Sequence, residues 1–229
     1  MNLLELGVNF FVAMFALIDP IGNVPIFAAA TQGATPNQQR LTALYISLFV
    51  TLFLAFFYLT GLGMLQFFGI SLSAFRIAGG VLLFLLGLDM SRSDFLHSFS
   101  DGEAAPGDLT ARTYARKRFE RLVVPFAMPL LIGPGAISTA IIQASEAAKH
   151  GPAGTAVGLV SIVATGGALL ASFMLTGTIS RVLGRIGMSI VVRVLGLILC
   201  AMAVQFILIG VFDATHGVII RSVAQPYAH

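Results

Sequence analysis

The sequence predicts an all-α membrane protein in which six transmembrane helices form two inverted three-helix repeats, with helices 1 and 4 broken. Three observations lead there. The chain is 57% hydrophobic and only 10% charged, with a mean hydropathy of +0.94, more apolar and less charged than a water-soluble domain. Six apolar segments come close to or exceed the roughly 20 residues that cross a bilayer. The first and fourth of them carry prolines and glycines in their middles, at Asp19-Pro20-Ile21-Gly22-Asn23-Val24-Pro25 and at Pro129-Leu130-Leu131-Ile132-Gly133-Pro134-Gly135-Ala136-Ile137.

The expected spans cover residues 3–31, 41–67, 72–90, 122–145, 153–183 and 189–212. The first, second and fifth are too long for a straight crossing, so breaks, tilt or interfacial extensions must absorb the excess. Residues 1–8 carry Glu5 and no Lys or Arg, which reads as the opening of the first span and lacks the basic region of a cleavable signal. Residues 1–90 form the first repeat and residues 122–229 the second, with a short C-terminal tail. Residues 91–121 form a linker with a Gly/Pro/Asp stretch and then a basic run, expected as a short surface helix over 110–121.

Proline in mid-span removes a backbone donor and clashes with the carbonyl four residues back. Hydrocarbon cannot satisfy the freed groups, so such breaks persist only where protein buries them or a cavity is lined. Other landmarks recur in order. Leu59-Thr60-Gly61 is matched by Leu175-Thr176-Gly177, Gly69-Ile70-Ser71-Leu72 by Gly187-Met188-Ser189-Ile190, and Arg76-Ile77-Ala78-Gly79 by Arg193-Val194-Leu195-Gly196. Three spans is an odd number, so a duplicated unit re-enters from the opposite face. The plainer explanation, that glycine and small residues recur in any polytopic chain, accounts poorly for the shared order.

Orientation follows from Lys and Arg. Nine of the thirteen lie in the linker and the loops after spans one and five: Arg40, Arg92, Arg112, Arg116, Lys117, Arg118, Arg121, Arg181 and Arg185. Positive loops stay inside. The linker is therefore expected in the cytoplasm and both termini outside, in a cell inner membrane.

The two broken motifs and the six-span layout resemble the MarC family of integral membrane proteins over essentially the whole chain, the linker and termini excepted. The resemblance implies small-solute transport, since the family includes transporters of small neutral amino acids. On that footing the chain is expected to be a secondary transporter of glycine- or alanine-like amino acids, working by alternating access and driven by a proton or sodium gradient. Export of another small amphiphile, a channel and, more remotely, an intramembrane enzyme are the alternatives.

Residues for the substrate site come from the breaks. A helix restarting at Gly133, Pro134 and Gly135 offers free N–H groups to a carboxylate, with Ser138 and Thr139 within the next turn. The carbonyls ending near Ile18 suit an ammonium, and Gly22 and Asn23 sit beside them, the latter with an amide that both donates and accepts. Close helix packing is the structural alternative for these glycines and prolines. Asp19 is the acidic residue in mid-span and the candidate for ion coupling; its repeat counterpart is Leu130. Asp followed by Pro20 is equally the expected N-cap and first position of the restarted helix. Arg76 and Arg193 occupy matching places and read either as snorkelling cations or as paired gates. Asp89 and Asp213, near span ends, read as solvated or capping groups.

Enzymatic readings find little support. His97, His150, His216 and His229 lie at loops or ends with no metal-binding spacing, and no nucleophile elbow or phosphate loop occurs. No metal and no cofactor beyond a coupling proton or sodium ion is expected. The single Cys200 excludes an internal disulfide. The linker's charge fits lipid headgroups better than nucleic acid, since few aromatics interleave it. Homo-oligomerisation is left open. Cysteine probes placed in residues 91–121 should react only from the cytoplasm, and probes at either terminus only from outside; termini labelled from the cytoplasm would overturn the charge argument.

Overall fold

A computed structural model describes residues 2–92 and 110–215. Among these residues every regular element is helical. Helix α1, Leu3–Ile18, opens with a reciprocal cap: Asn2 Oδ1 accepts from the Glu5 amide at 2.8 Å while the Asn2 amide donates to Glu5 Oε2 at 3.0 Å. Its buried stripe, Leu6, Phe10, Met14 and Ile18, recurs every four residues and lies on one face. The chain then breaks for residues 19–23 and resumes as the short, largely buried α2, Val24–Ala30.

Helix α3, Pro36–Phe67, is capped by Thr35 and Gln38. At 32 residues it is about 48 Å long, well beyond a hydrocarbon core of about 30 Å. It begins before the expected span because Pro36 at its first turn is pre-set for helix entry. Helix α4, Leu72–Ser91, starts from the Ser71 cap. The basic run forms α5, Ala111–Leu122, capped by Thr110 as expected for a helix over 110–121. Only one of its faces is exposed: Tyr114, Ala115 and Leu122 are buried, and Phe119 meets Tyr45 and Phe49 of α3 edge-on. Arg118 Nε donates to the Ala30 carbonyl at the end of α2. Burial holds the Arg118 guanidinium below, and the Tyr114 phenol above, its ordinary pKa.

Residues Val123–Leu131 continue as an irregular, wide-turned segment. Its two extended residues are Val124 (φ −125°, ψ 124°) and Met128 (φ −128°, ψ 126°). Each immediately precedes a proline, Pro125 or Pro129, whose ring drives the preceding residue out of the helical region. Regular helix resumes as α6, Pro134–Ala148, followed by α7, Gly151–Met174, and α8, Thr176–Ala214. The fifth expected span, 153–183, thus stops at Met174. There Leu175 turns the chain, and Thr176 Oγ1 takes the Phe173 carbonyl at 2.6 Å, diverting an acceptor from the helix ladder. Helix α8 is itself interrupted at Gly184 (φ 60°, ψ −177°), a backbone conformation essentially confined to glycine.

Among the described residues four helical stretches are long and apolar enough to span a membrane: Pro36–Phe67, Leu72–Ser91, Gly151–Met174 and Ile186–Ala214. Leu3–Ile18 is a shorter apolar helix. The first and fourth expected spans are therefore split into pieces, each too short to cross alone.

Two packed units build the bundle. Helix α7 packs on α1 and α3, and α4 packs along α8, with α2 and α6 wedged against both sets. Phe27 of α2 stacks on Phe173 of α7 at a 4.3 Å centroid separation, with Phe126 tilted beside it. The α4–α8 seam is made by glycine. A Cβ on Gly87 would lie 2.7 Å from the Gly196 carbonyl oxygen, and one on Gly196 would lie 2.7 Å from the Gly87 carbonyl. Close backbone approach of this kind is how helices gain van der Waals contact where lipid supplies no hydrophobic drive. Gly87→Ala should therefore push the two backbones apart and cost about 1–3 kcal/mol, read as a lower unfolding midpoint of the purified protein in detergent; Gly63→Ala, at a site where a Cβ meets open space, is the control.

Candidate functional site

The break in the first span creates the site. Asp19 caps α1 in a left-handed conformation (φ 44°, ψ 66°) and is the one non-glycine residue with positive φ among the described residues. Aspartate tolerates this region better than most side chains because it can bond locally. Its amide donates to the Phe15 carbonyl, and its Oδ1 accepts from the Gly22 amide at 3.1 Å. Asp19 is thus the C-cap of α1, which corrects its expected part as N-cap of the restarted helix. The chain needs the turn of residues 20–23 to redirect itself, so α2 begins four residues later than Pro20 would suggest. Asn23 occupies the N-cap position and Pro25 the first turn.

Asn23 makes no side-chain cap to α2. Its amide turns back, and Nδ2 donates to the Ile18 carbonyl at 2.8 Å and to the Asp19 carbonyl at 3.1 Å. The Ile18 carbonyl is a terminal acceptor of α1 that hydrocarbon would leave unsatisfied, while the Asp19 carbonyl also accepts from the Asn23 backbone amide at 3.1 Å. The carbonyl near Ile18 expected to face an ammonium is therefore already engaged by a neighbouring amide. Gly22 is buried under both neighbours: a Cβ there would lie 2.0 Å from Asp19 Oδ2 and 2.8 Å from Leu195 Cδ2. Only glycine lets the carboxylate fold back onto the turn.

Asp19 and Asn23 line a pocket of about 70 Å³ with Ala16, Leu17, Met90, Leu130, Leu195, Ile198, Leu199 and Met202. The sequence singled out the two polar residues and, as Asp19's counterpart, Leu130. The rest escaped it, because Leu195, Ile198, Leu199 and Met202 show the same helical spacing as any packed face.

The second motif is placed differently. Gly133 is the N-cap of α6 and Pro134 its first residue. A Cβ on Gly79 of α4 would lie 1.9 Å from Pro134 Cβ, and one on Gly135 would lie 2.3 Å from the Phe206 ring. Ser138 is buried, its Oγ donating to the Pro134 carbonyl at 2.6 Å, and Thr139 is half-buried. In this conformation Gly133, Pro134, Gly135, Ser138 and Thr139 do not line the Asp19 pocket. In this conformation the Phe206 ring covers Gly135.

The two arginines also part company. Arg76 pairs with Asp213 across the α4–α8 seam, with its side chain only 16% exposed. Asp213, expected to be solvated or capping, is thus an ion-pair partner. Asp89 pairs with Arg92 one turn away. Arg193 is exposed, and among the described residues no ion pair reaches it. No group of acidic, histidine or cysteine side chains among the described residues is arranged to hold a metal.

Long apolar helices around an interrupted one, with a carboxylate and an amide at the interruption, define an integral, multi-pass membrane protein. The chain belongs to the MarC family: the family model, described as MarC family integral membrane protein, matches residues 4–215. It is 31% identical over 204 residues to a UPF0056 membrane protein of Buchnera aphidicola subsp. Baizongia pistaciae, covering 89% of this chain and 91% of that one. Against a UPF0056 membrane protein of Methanocaldococcus jannaschii it is 34% identical over 204 residues, covering 89% and 95%. Against one from Escherichia coli it is 31% identical over 203 residues, covering 89% and 90%. These names describe membrane proteins and specify no activity. No solved structure matches the chain significantly.

Gly22→Ala tests the site's geometry. The added methyl meets the ends of two side chains, so the fold should survive, with an unchanged elution profile in detergent, while the displaced Asp19 carboxylate should lower at least tenfold the solute flux proposed below, if that flux depends on the turn. Undiminished flux would show that the turn's geometry is irrelevant to function.

Proposed function

We propose that this protein is a secondary transporter of small neutral amino acids of glycine or alanine size, located in a cell inner membrane and working by alternating access. The observation that carries the reading is the pocket at the first break. It combines an intramembrane carboxylate with an apolar wall and is far smaller than the 300–1,000 Å³ typical of drug-sized ligands. The repeat supports it further. Asp19 and Leu130, counterparts in the two halves, line the same pocket although 111 residues separate them in sequence. That convergence is what two inverted three-helix repeats with broken first helices would give at their shared interface.

On this reading Asp19 takes either the coupling ion, a proton or sodium, or the substrate's amine. The Arg76–Asp213 pair closes one end of the α4–α8 seam, and Arg193 is free to do the same at the other end in another state. Residues 91–121 lie in the cytoplasm and both termini outside. The protein carries out no catalysis, needs no metal or prosthetic group, binds no nucleic acid and contacts lipid along its exposed apolar helix faces. Dimers or larger assemblies are compatible with those faces.

Counterflow in proteoliposomes tests the proposal. Preloaded unlabelled glycine or alanine should drive saturable uptake of the labelled amino acid, and an imposed proton or sodium gradient should convert exchange into accumulation. Flux that rises linearly with concentration, with no counterflow, would replace the carrier by a channel. Absence of flux with any member of an amino-acid panel would overturn the substrate class.

A further inference from the structure

The pocket at the first break has an unusual polar inventory. Asn23 is only 5% exposed, and its amide orientation is dictated by its neighbours. Two carbonyl oxygens, of Ile18 and Asp19, lie at 2.8 and 3.1 Å from the nitrogen, and a flipped amide would set oxygen against oxygen. The polar atom left over is Oδ1, to which the described hydrogen bonds give no donor. Asp19 spends Oδ1 on the Gly22 amide at 3.1 Å and keeps Oδ2. The surrounding side chains, including those of Leu17, Met90, Leu130, Leu195 and Met202, carry no N–H or O–H group. The side chains of the pocket therefore offer acceptors and no unspent donor.

We infer that this pocket is a seat for a primary ammonium group carried on a short apolar chain, and that it recognises the ammonium with no contribution from a carboxylate. An ammonium brings three donors and no acceptor, the complement of two unpaired oxygens. A carboxylate placed here would find no side-chain donor and would lie against a second carboxyl group in a poorly solvated site. The helix N-terminus best suited to an anion, that of α6, is packed by Gly79 and Phe206 and does not open into the pocket. Size points the same way. About 70 Å³ is far below a drug-sized site, so the pocket suits a small cationic head and the apolar carbon beside it. A hard inorganic cation seeks about six or more oxygen ligands, which these apolar walls do not supply, whereas leucine and methionine suit an alkyl carbon.

The natural ligand inferred here rests on the transport reading, in which an amino acid enters amine first; the seat itself can be measured without transport. The test uses the full chain purified in detergent, with ethylammonium chloride, potassium propionate and sodium chloride at matched ionic strength. Ethylammonium should raise the unfolding midpoint in a saturable manner, propionate and sodium should not, and in Asp19→Asn the apparent affinity for ethylammonium should fall at least tenfold. In proteoliposomes, ethylammonium should compete with the transported amino acid and propionate should not. Equal or stronger effects of propionate, a preference for sodium, or an ethylammonium response unchanged in Asp19→Asn would each overturn the assignment. Should Asp19→Asn fail to fold, the wild-type comparison of amine, carboxylate and sodium decides alone. Failure of amino-acid flux alongside a saturable amine response would sink the transport reading and leave the seat standing; flux that ethylammonium does not inhibit would do the reverse.

Discussion

A helix interrupted inside a bilayer stands only if the carbonyls it frees find donors, and at the end of α1 Asn23 provides two of them, its side chain to the Ile18 carbonyl and its backbone amide, with the side chain, to that of Asp19. Its single amide nitrogen bridges the last carbonyl of α1 and the carbonyl of the left-handed Asp19. An unsatisfied backbone group in hydrocarbon costs several kcal/mol, comparable with the strain of about 1–3 kcal/mol in an aspartate at positive φ. The side-chain bond to Ile18, with the backbone and side-chain bonds to Asp19, therefore holds the turn closed against both penalties. Everything distinctive about the pocket follows from this closure: the carboxylate's position over Gly22, the orphaned Oδ1 of Asn23, and the start of α2 where its face meets Phe173.

The rest of the fold places walls around that turn. The glycine seam between α4 and α8 brings Met90 and the face of Leu195 and Met202 against the break. The segment before α6 adds Leu130, carried there by a backbone that two prolines deflect. At the other end of α2, Arg118 of the basic helix α5 donates to the Ala30 carbonyl. A short helix of 7 residues is thus held at one end by the site and at the other by the linker. Proline, glycine and asparagine share one task throughout: each breaks or spares a backbone hydrogen bond where a neighbouring group replaces it.

Much of this was legible in the chain. The membrane class followed from composition, and the breaks followed from Pro20, Pro25, Pro129 and Pro134. The helix over 110–121 followed from its basic run, and Asp19 and Asn23 followed from their polarity in an apolar run. Two things were misread, and a third lies elsewhere than at the Asp19 pocket in this conformation. The Asp-Pro pair looked like a helix start, because local cap preferences do not record how far the chain must turn before it can resume. The Gly133–Gly135 stretch looked like a ligand cradle, because glycine signals close approach without naming what approaches; here it is Pro134 against Gly79, and Phe206 against Gly135. The fifth span ran past Met174 on paper, since one threonine hydroxyl capturing a carbonyl leaves no trace in hydropathy.

The sequence by itself determined that the chain lives in a membrane, that its first and fourth apolar segments cannot be continuous, and that a carboxylate lies at the first interruption. Those conclusions depend on the chemistry of single residues and on their spacing along one helix, which context cannot cancel: proline lacks its N–H wherever it stands, and a carboxylate resists hydrocarbon at any register. Only the tertiary structure decided which oxygens remain unpaired, that Leu130 and not Gly133 meets Asp19 across the pocket, and that Arg76 and Asp213 are partners. Those outcomes depend on distances between residues far apart in the chain, fixed by how closely α4, α6 and α8 approach through their glycines, and no local pattern encodes that approach.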